Sequence, residues 1–157
     1  MELSEKYDVN TYTEVILGLP LETKETWRDG LCELLECGQH QSIDFNLAEV
    51  LVNSELNEDL YKETYKIKTK RLTQYYTLKE DSFPESGNVV IETSTMSTTD
   101  LIESYMYAWM IVHCHINGYT QLYSKFARNY HNVSFRVFYD KLFEKLHQKN
   151  RVLNNIG

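Results

Sequence analysis

The stretch Thr11-Tyr12-Thr13-Glu14-Val15-Ile16-Leu17-Gly18-Leu19-Pro20 decides the fold class. Its first seven residues are mostly β-branched or aromatic, which favours an extended chain, and Gly18-Leu19-Pro20 breaks the run. A buried strand is expected over 11–17. Glu22-Thr23 then opens a helix, with Thr23 suited to the N-cap and Glu25 placing negative charge at the positive end of the helix dipole. Trp27, Leu31, Leu34 and Leu35 recur at i, i+4, i+7 and i+8, one apolar face that runs to Gly38, a residue suited to the left-handed position after a helix. After a polar link, Ser42-Ile43-Asp44-Phe45-Asn46-Leu47-Ala48 alternates like a strand. Strand, helix, strand is the signature of a parallel βαβ unit, because parallel strands need a crossover, and that crossover is right-handed. The class is α/β.

Outward from this unit, Leu56 to Lys66 reads as a short helix, and Lys68-Thr69-Lys70-Arg71 as an exposed, solvated basic edge. Residues 79–88 read as a loop and Asn88-Val89-Val90-Ile91-Glu92-Thr93 as one more short strand. Ser97 or Thr98 can cap a helix carrying Asp100 in its first turn. Leu101, Ile102, Tyr105, Trp109, Val112 and Ile116 keep a helical period until Asn117-Gly118. Two amphipathic segments follow, Thr120 to Tyr130 and Ser134 to His147, so the last third is expected to be all helical. Leu101, Tyr105, Trp109 and Val112 should face the core, and Lys141, Lys145, Lys149 and Arg151 the solvent. The organisation is thus residues 1–78, the α/β part, and residues 79–157, a loop, a short strand and a helical extension.

Composition narrows the function. With 42% hydrophobic and 25% charged residues the 157-residue chain is an ordinary globular one, and six Gly and two Pro are too few for a linker-rich or collagen-like architecture. The longest strongly apolar stretch, Met106 to Ile116, is far shorter than the roughly 20 residues of a membrane span. Three cysteines cannot all pair within one chain, and Met1-Glu2-Leu3-Ser4-Glu5-Lys6 has no apolar signal core, so a cytoplasmic location is expected. A net charge of −7 argues against general nucleic-acid or anionic-membrane binding. The charge is uneven: residues 1–117 hold 9 basic and 21 acidic side chains, net −12, whereas residues 118–157 hold 7 and 2, net +5.

Cys32 and Cys37 are five apart on one helix, about 500° of rotation, and therefore point roughly 140° apart, too divergent to chelate one ion. His113 and His115 diverge similarly, and no metal ligand set is assigned. Gly-Lys-Ser/Thr phosphate loops, Gly-x-Gly-x-x-Gly, Gly-x-Ser-x-Gly and His-Glu-x-x-His do not occur. Glu14 stands out as a carboxylate within an apolar strand, where burial requires a partner. Ligands of α/β folds gather at the carboxyl ends of strands, where Ile16, Gly18 and Ala48 lie, and a glycine directly after a strand admits close approach to the backbone.

The run Thr13-Glu14-Val15-Ile16-Leu17-Gly18-Leu19-Pro20-Leu21-Glu22-Thr23 resembles a strand and turn of radical S-adenosylmethionine enzymes, in which an acidic residue and apolar residues lead into Gly-Leu-Pro-Gly-Glu-Thr. Residues Ser42 to Asn57 resemble the next strand and its exit loop. Tyr65 to Arg71 and Val90 to Ser97, with the helix bearing Trp109, resemble the C-terminal region of the cobalamin-binding group of that family. The resemblance implies the last strands and helices of a partial (β/α)6 TIM-like barrel, followed by an all-helical C-terminal extension. It implies that Glu14 matches the acidic position contacting S-adenosylmethionine, Ile16 the position whose backbone meets the adenine, and Ala48 the adenine contact on the following strand, at the family's separation from Gly18. Leu21 replaces the usual Gly and Val52 a common Pro.

The Cys-x3-Cys-x2-Cys motif that holds the family's [4Fe–4S] cluster is absent from these 157 residues, and without a cluster nothing cleaves S-adenosylmethionine reductively. The expectation is therefore a chain inactive alone: the C-terminal piece of a longer enzyme, a split subunit working beside an N-terminal cluster-bearing polypeptide, or a relic. It would supply part of an S-adenosylmethionine site and part of the pocket for a small-molecule or peptide substrate. The [4Fe–4S] cluster and cobalamin would belong to the full-length or partnered enzyme. The competing expectation is a non-catalytic partner-binding module with a basic helical tail.

Overall fold

The computed structural model describes residues 6–7, 9–74 and 85–154, with side chains for 6–7, 9–73 and 86–147. In order the elements are β1 (Thr13–Leu17), α1 (Lys24–Glu36), β2 (Ile43–Leu47), a 3₁₀ turn (Glu55–Asn57), α2 (Asp59–Tyr65), β3 (Lys68–Gln74), β4 (Glu85–Glu92), α3 (Thr98–Met110) running into a π-helical turn (Ile111–Ile116), α4 (Gln121–His131) and α5 (Phe135–Asn154). β1 and β2 form one two-stranded sheet, β3 and β4 another. The Thr13 N–H donates to the Ser42 carbonyl at the start of β1 (3.0 Å), and the Ala48 N–H donates to the Leu17 carbonyl at its end (2.8 Å). Because the partners advance together, the strands run parallel, with α1 as the crossover. The α/β class is therefore present, and among the described residues no closed barrel is: the parallel pair stops at two strands.

The second sheet corrects the sequence reading. Lys68-Thr69-Lys70-Arg71 is exposed as expected, and it forms most of β3, an edge strand paired antiparallel with β4 from Lys68↔Glu92 to Gln74↔Glu85. Residues 85–88, expected as loop, belong to β4, while 75–84 lie outside the described residues. Lys, Gly and Asn are weak strand formers, so propensity hid the hairpin; cross-strand pairs specify it instead. Lys68 Nζ meets Glu92 Oε1 at 2.6 Å, and Arg71 donates through Nε and Nη2 to Ser86 Oγ at 3.0 and 2.7 Å.

By internal packing the chain divides into two units, one of residues 1–15, 25–44 and 105–157, the other of 16–24 and 45–104. In the first, α1 buries Trp27, Leu31, Cys32 and Leu35. It ends at Gly38 (φ 90°), with the Gly38 N–H on the Leu35 carbonyl and the Gln39 N–H on the Leu34 carbonyl, the left-handed stop expected there. Arg136 on α5 ties α1 down through Glu25 (2.5 Å) and Asp29, and is steadied by Asp140 (2.8 Å). Arg28 lies 4.8 Å over the ring of Tyr107 and 5.1 Å over that of Phe143.

In the second unit, Ala48, Val50 and Val90 form a small core with Leu56 and Ile67 against it. The chain leaving β2 pairs antiparallel with β4: Val50 donates to Asn88 and Val90 to Ala48, both at 2.8 Å. Ser97 caps α3, its hydroxyl accepting the Asp100 N–H (3.2 Å) and donating to the Asp100 carboxylate (2.6 Å).

Leu101 is buried as expected, but Tyr105 and Trp109 are 40% and 44% exposed and Val112 is only half-buried. The buried stripe runs instead through Leu101, Ser104, Tyr107, Ala108, Ile111 and His115. It keeps the same helical spacing but includes a hydroxyl and an imidazole, so a reading by hydrophobicity alone selected the neighbouring stripe. Lys141 and Lys145 are exposed, while the side chains of Lys149 and Arg151 lie outside the described residues.

Candidate functional site

The site begins where β1 ends. Residues alternate along β1, so Glu14 and Ile16 stand on one side of the strand, and both are exposed. Glu14 thus avoids the burial that its place in an apolar run suggested. It belongs to the first unit, whereas Ile16, Gly18 and Ala48 belong to the second.

Gly18 is buried with φ 97°, a region L side chains rarely adopt. An added Cβ would stand 3.4 Å from Leu101 Cδ1 and 3.7 Å from Val90. The glycine therefore serves the turn and the packing beneath it, and that flank of its backbone is covered by protein. Ala48 is 2% exposed, and both its backbone groups are engaged, the N–H with Leu17 and the C=O with Val90. The structure thus gathers Gly18 and Ala48 around Val90 and leaves Ile16, 47% exposed, as the accessible member of the three.

The turn after Gly18 is held by residues the sequence reading used only as a helix start. Glu22 accepts the Gly18 N–H on its carboxylate, and partial burial nonetheless holds its pKa above the usual value. Its Oε2 is buried and makes no hydrogen bond among the described residues. The Glu22 carbonyl accepts the Thr95 hydroxyl at 2.7 Å, and Thr93 Oγ1 in turn accepts the Met96 N–H at 3.2 Å. The detectable signal was the fixed spacing from Gly18 to Glu22. Leu21 has φ 70°, so the residue replacing the family's Gly adopts a glycine-like conformation. Around the exits of the parallel pair, Leu19, Leu21, Leu51 and Val52 are exposed apolar residues, Val52 at 83%.

No arrangement for a metal accompanies this turn: among the described residues no three His, Cys, Asp or Glu are grouped to hold one ion. Cys32 is buried beside the Tyr107 hydroxyl (3.4 Å), and burial pushes its thiol up to about 11. Cys37, five residues on, is exposed, the divergence expected from the helical rotation.

No family model matches the chain. A cobalamin-dependent radical SAM methyltransferase, TokK of Streptomyces tokunonensis, is 33% identical over 146 residues, covering 90% of this chain. A 2-(S-pantetheinyl)-carbapenam-3-carboxylate methyltransferase of Streptantibioticus cattleyicolor is 32% identical over the same share. The chain is homologous to a segment of each of these two methyltransferases. It spans about a fifth (21%) of the length of either relative. No helix among the described residues is long and apolar enough to cross a membrane.

Proposed function

We propose that this chain forms one wall of the S-adenosylmethionine and substrate pocket of a cobalamin-dependent radical SAM methyltransferase and is inactive by itself. The observation that supports the reading is the one-third identity to such a methyltransferase across nine-tenths of this chain and only a fifth of that enzyme. Its parallel pair is then the last part of a partial (β/α)6 barrel whose other strands lie in a cluster-bearing polypeptide, joined to this one or separate. The apolar rim at the strand exits is the surface such a barrel would cover.

Within that pocket Ile16 offers an apolar side chain and strand backbone to the adenine, and Ala48 closes the floor without a free backbone hydrogen bond. Glu14, two positions before Ile16 on the same strand, offers a carboxylate that accepts N–H or O–H donors. Gly18 and Glu22 fix the turn that carries the exit. The cysteines present do not fit a [4Fe–4S] cluster, since Cys32 is buried with a raised pKa and no three candidate ligands are grouped among the described residues, so the reading gives the cluster to the partner. Cobalamin is likewise assigned to the assembled enzyme. The reading includes a cytoplasmic setting, in keeping with three free cysteines.

Co-expression with a cluster-bearing polypeptide of the relatives' kind tests this. The two should co-purify and together transfer a methyl group with cobalamin supplied, and Ile16→Asp should lower that activity. Methyl transfer by this chain alone, or failure of the two to associate, would contradict it.

A further inference from the structure

The first unit holds a cleft of about 560 Å³, lined by none of the residues assigned to the strand exits. Leu35 and Phe135 give it an apolar base, and Glu36, His40, Lys125, Arg128, Asn129 and Asn132 complete its lining. The charges in that lining do not cancel. Arg128 Nε donates to Glu36 Oε2 at 2.6 Å and its Nη1 to Asn132 Oδ1 at 3.2 Å, while Glu36 Oε1 accepts the Phe135 N–H at 3.0 Å. That carboxylate is therefore fully occupied with Arg128 and the start of α5. Lys125 has no carboxylate partner among the described residues, which leaves one uncompensated ammonium in the cleft. It acts on the histidines: after burial, the Lys125 charge is the next cause that lowers the pKa of His40.

His40 is the end of a hydrogen-bonded chain reaching into the unit. His40 Nδ1 lies 2.9 Å from His115 Nε2, and His115 Nδ1 lies 2.6 Å from the Tyr139 hydroxyl and 3.2 Å from Ser124 Oγ. The Ser124 hydroxyl donates to the Gln121 carbonyl at 3.1 Å. When Tyr139 donates to Ser124 Oγ (3.3 Å), His115 and His40 carry their hydrogens on Nδ1; when Tyr139 donates to His115 instead, His115 Nε2–H donates to His40 Nδ1, and His40 keeps its hydrogen on Nε2, the ring nitrogen not engaged by His115.

We propose that this cleft binds an oxyanion, carboxylate or phosphate, with Lys125 as the counter-charge and the Asn129 and Asn132 amides and His40 Nε2–H as donors. An acceptor at Nε2 selects the tautomer just described, so binding is read out along the chain at the fully buried His115. The site is independent of the pocket wall proposed above.

The test is a titration of the full 157-residue chain at constant ionic strength and pH near 7.5 with sodium phosphate, sodium acetate or sodium chloride, following the imidazole NMR signals of all five histidines. Phosphate, acetate or both should shift His40 and His115 saturably with a roughly millimolar Kd, leaving His113, His131 and His147 unmoved. K125A should weaken binding about tenfold, the loss of one charge-assisted contact. K125R should retain it within about threefold, and K141A, at an exposed position, should match the wild type. Saturation by phosphate alone would identify phosphate esters as the ligand class, and saturation by acetate alone, carboxylates. The same shifts with chloride, no saturation with either oxyanion, or unchanged binding in K125A with its His115 signal in place would overturn the proposal.

Discussion

The first unit buries a chain of hydrogen-bonded polar groups, and the second exposes an apolar rim at its strand exits. In the first, His115, Ser124 and Tyr139 are fully enclosed and bonded to one another, with Gln39 similarly buried and donating to Thr13 Oγ1 at 2.7 Å. In the second, the core is aliphatic and small, while Ile16, Leu19, Leu21, Leu51 and Val52 remain in solvent. The contrast separates two kinds of site. A buried polar chain is specified by its own partners, since each unsatisfied member costs a desolvation penalty. An exposed apolar rim is stable only weakly without a covering surface, and the rim at the strand exits is the part of the second unit that carries the pocket-wall proposal.

The largest break in this comparison should come from His115→Ala, which leaves a hole, takes the His115 partner from His40 Nδ1, and leaves the Tyr139 hydroxyl with only Thr120 and Ser124. A loss of roughly 3 kcal/mol or more is expected from the urea midpoint. Acid should act on the same chain. Burial is the first cause that lowers His40 to about 4 and His115 to about 3, below the ordinary 6.5 of an unfolded histidine. The unfolded chain therefore takes up protons first, and the stability that neutral histidines give is complete above pH 6.5 and lost as pH falls toward 4 and 3. Urea midpoints should drop between pH 7 and 5, before the carboxylates titrate, and His40→Gln should flatten that drop; an equal slope in the variant would remove His40 from the account.

In the second unit, Gly18→Ala should cost about 1–3 kcal/mol, because it meets both a positive φ and Leu101. Gly87→Ala sharpens the point. An added Cβ there would meet the carboxylate end of exposed Glu49, a flexible group that can swing aside, so the loss should stay below about 1 kcal/mol. Leu21→Gly should stabilise by up to about 1 kcal/mol, since Leu21 is 65% exposed and loses little packing while the left-handed strain is relieved. The smallest effect belongs to Lys68→Ala, which removes an exposed ion pair with Glu92 and should change the midpoint by about 0.5 kcal/mol or less.

The parallel pair and its crossover were legible because Thr11 to Pro20 and Ser42 to Ala48 carry the strand pattern on residues whose burial it tracks. The β3–β4 hairpin was not, since Lys68 to Arg71 gain their strand from Glu92 and Ser86, partners distant in sequence. Tyr105 and Trp109 misled for a related reason: large apolar side chains drew the core stripe one position away from Ser104 and His115, whose burial depends on hydrogen bonds that hydropathy does not register. At the site, Gly18 was found but its role was only half readable. Its positive φ follows from the strand exit, whereas its packing on Leu101 and Val90 joins residues more than 70 positions apart. The spacing from Gly18 to Glu22 was readable, whereas the Thr95 bond that secures Glu22 joins residues more than 70 positions apart.

Calorimetry with S-adenosylmethionine tests the central claim most directly. The 157-residue chain alone should give no binding heat below roughly millimolar ligand, because one wall supplies too few polar contacts, each contributing about 1 kcal/mol or more. With the cluster-bearing polypeptide present, binding should tighten to roughly micromolar, and Glu14→Ala or Ile16→Asp should weaken it about tenfold. Micromolar binding to the isolated chain, or assembled binding indifferent to both substitutions, would contradict the assignment of this strand exit as a wall of the pocket.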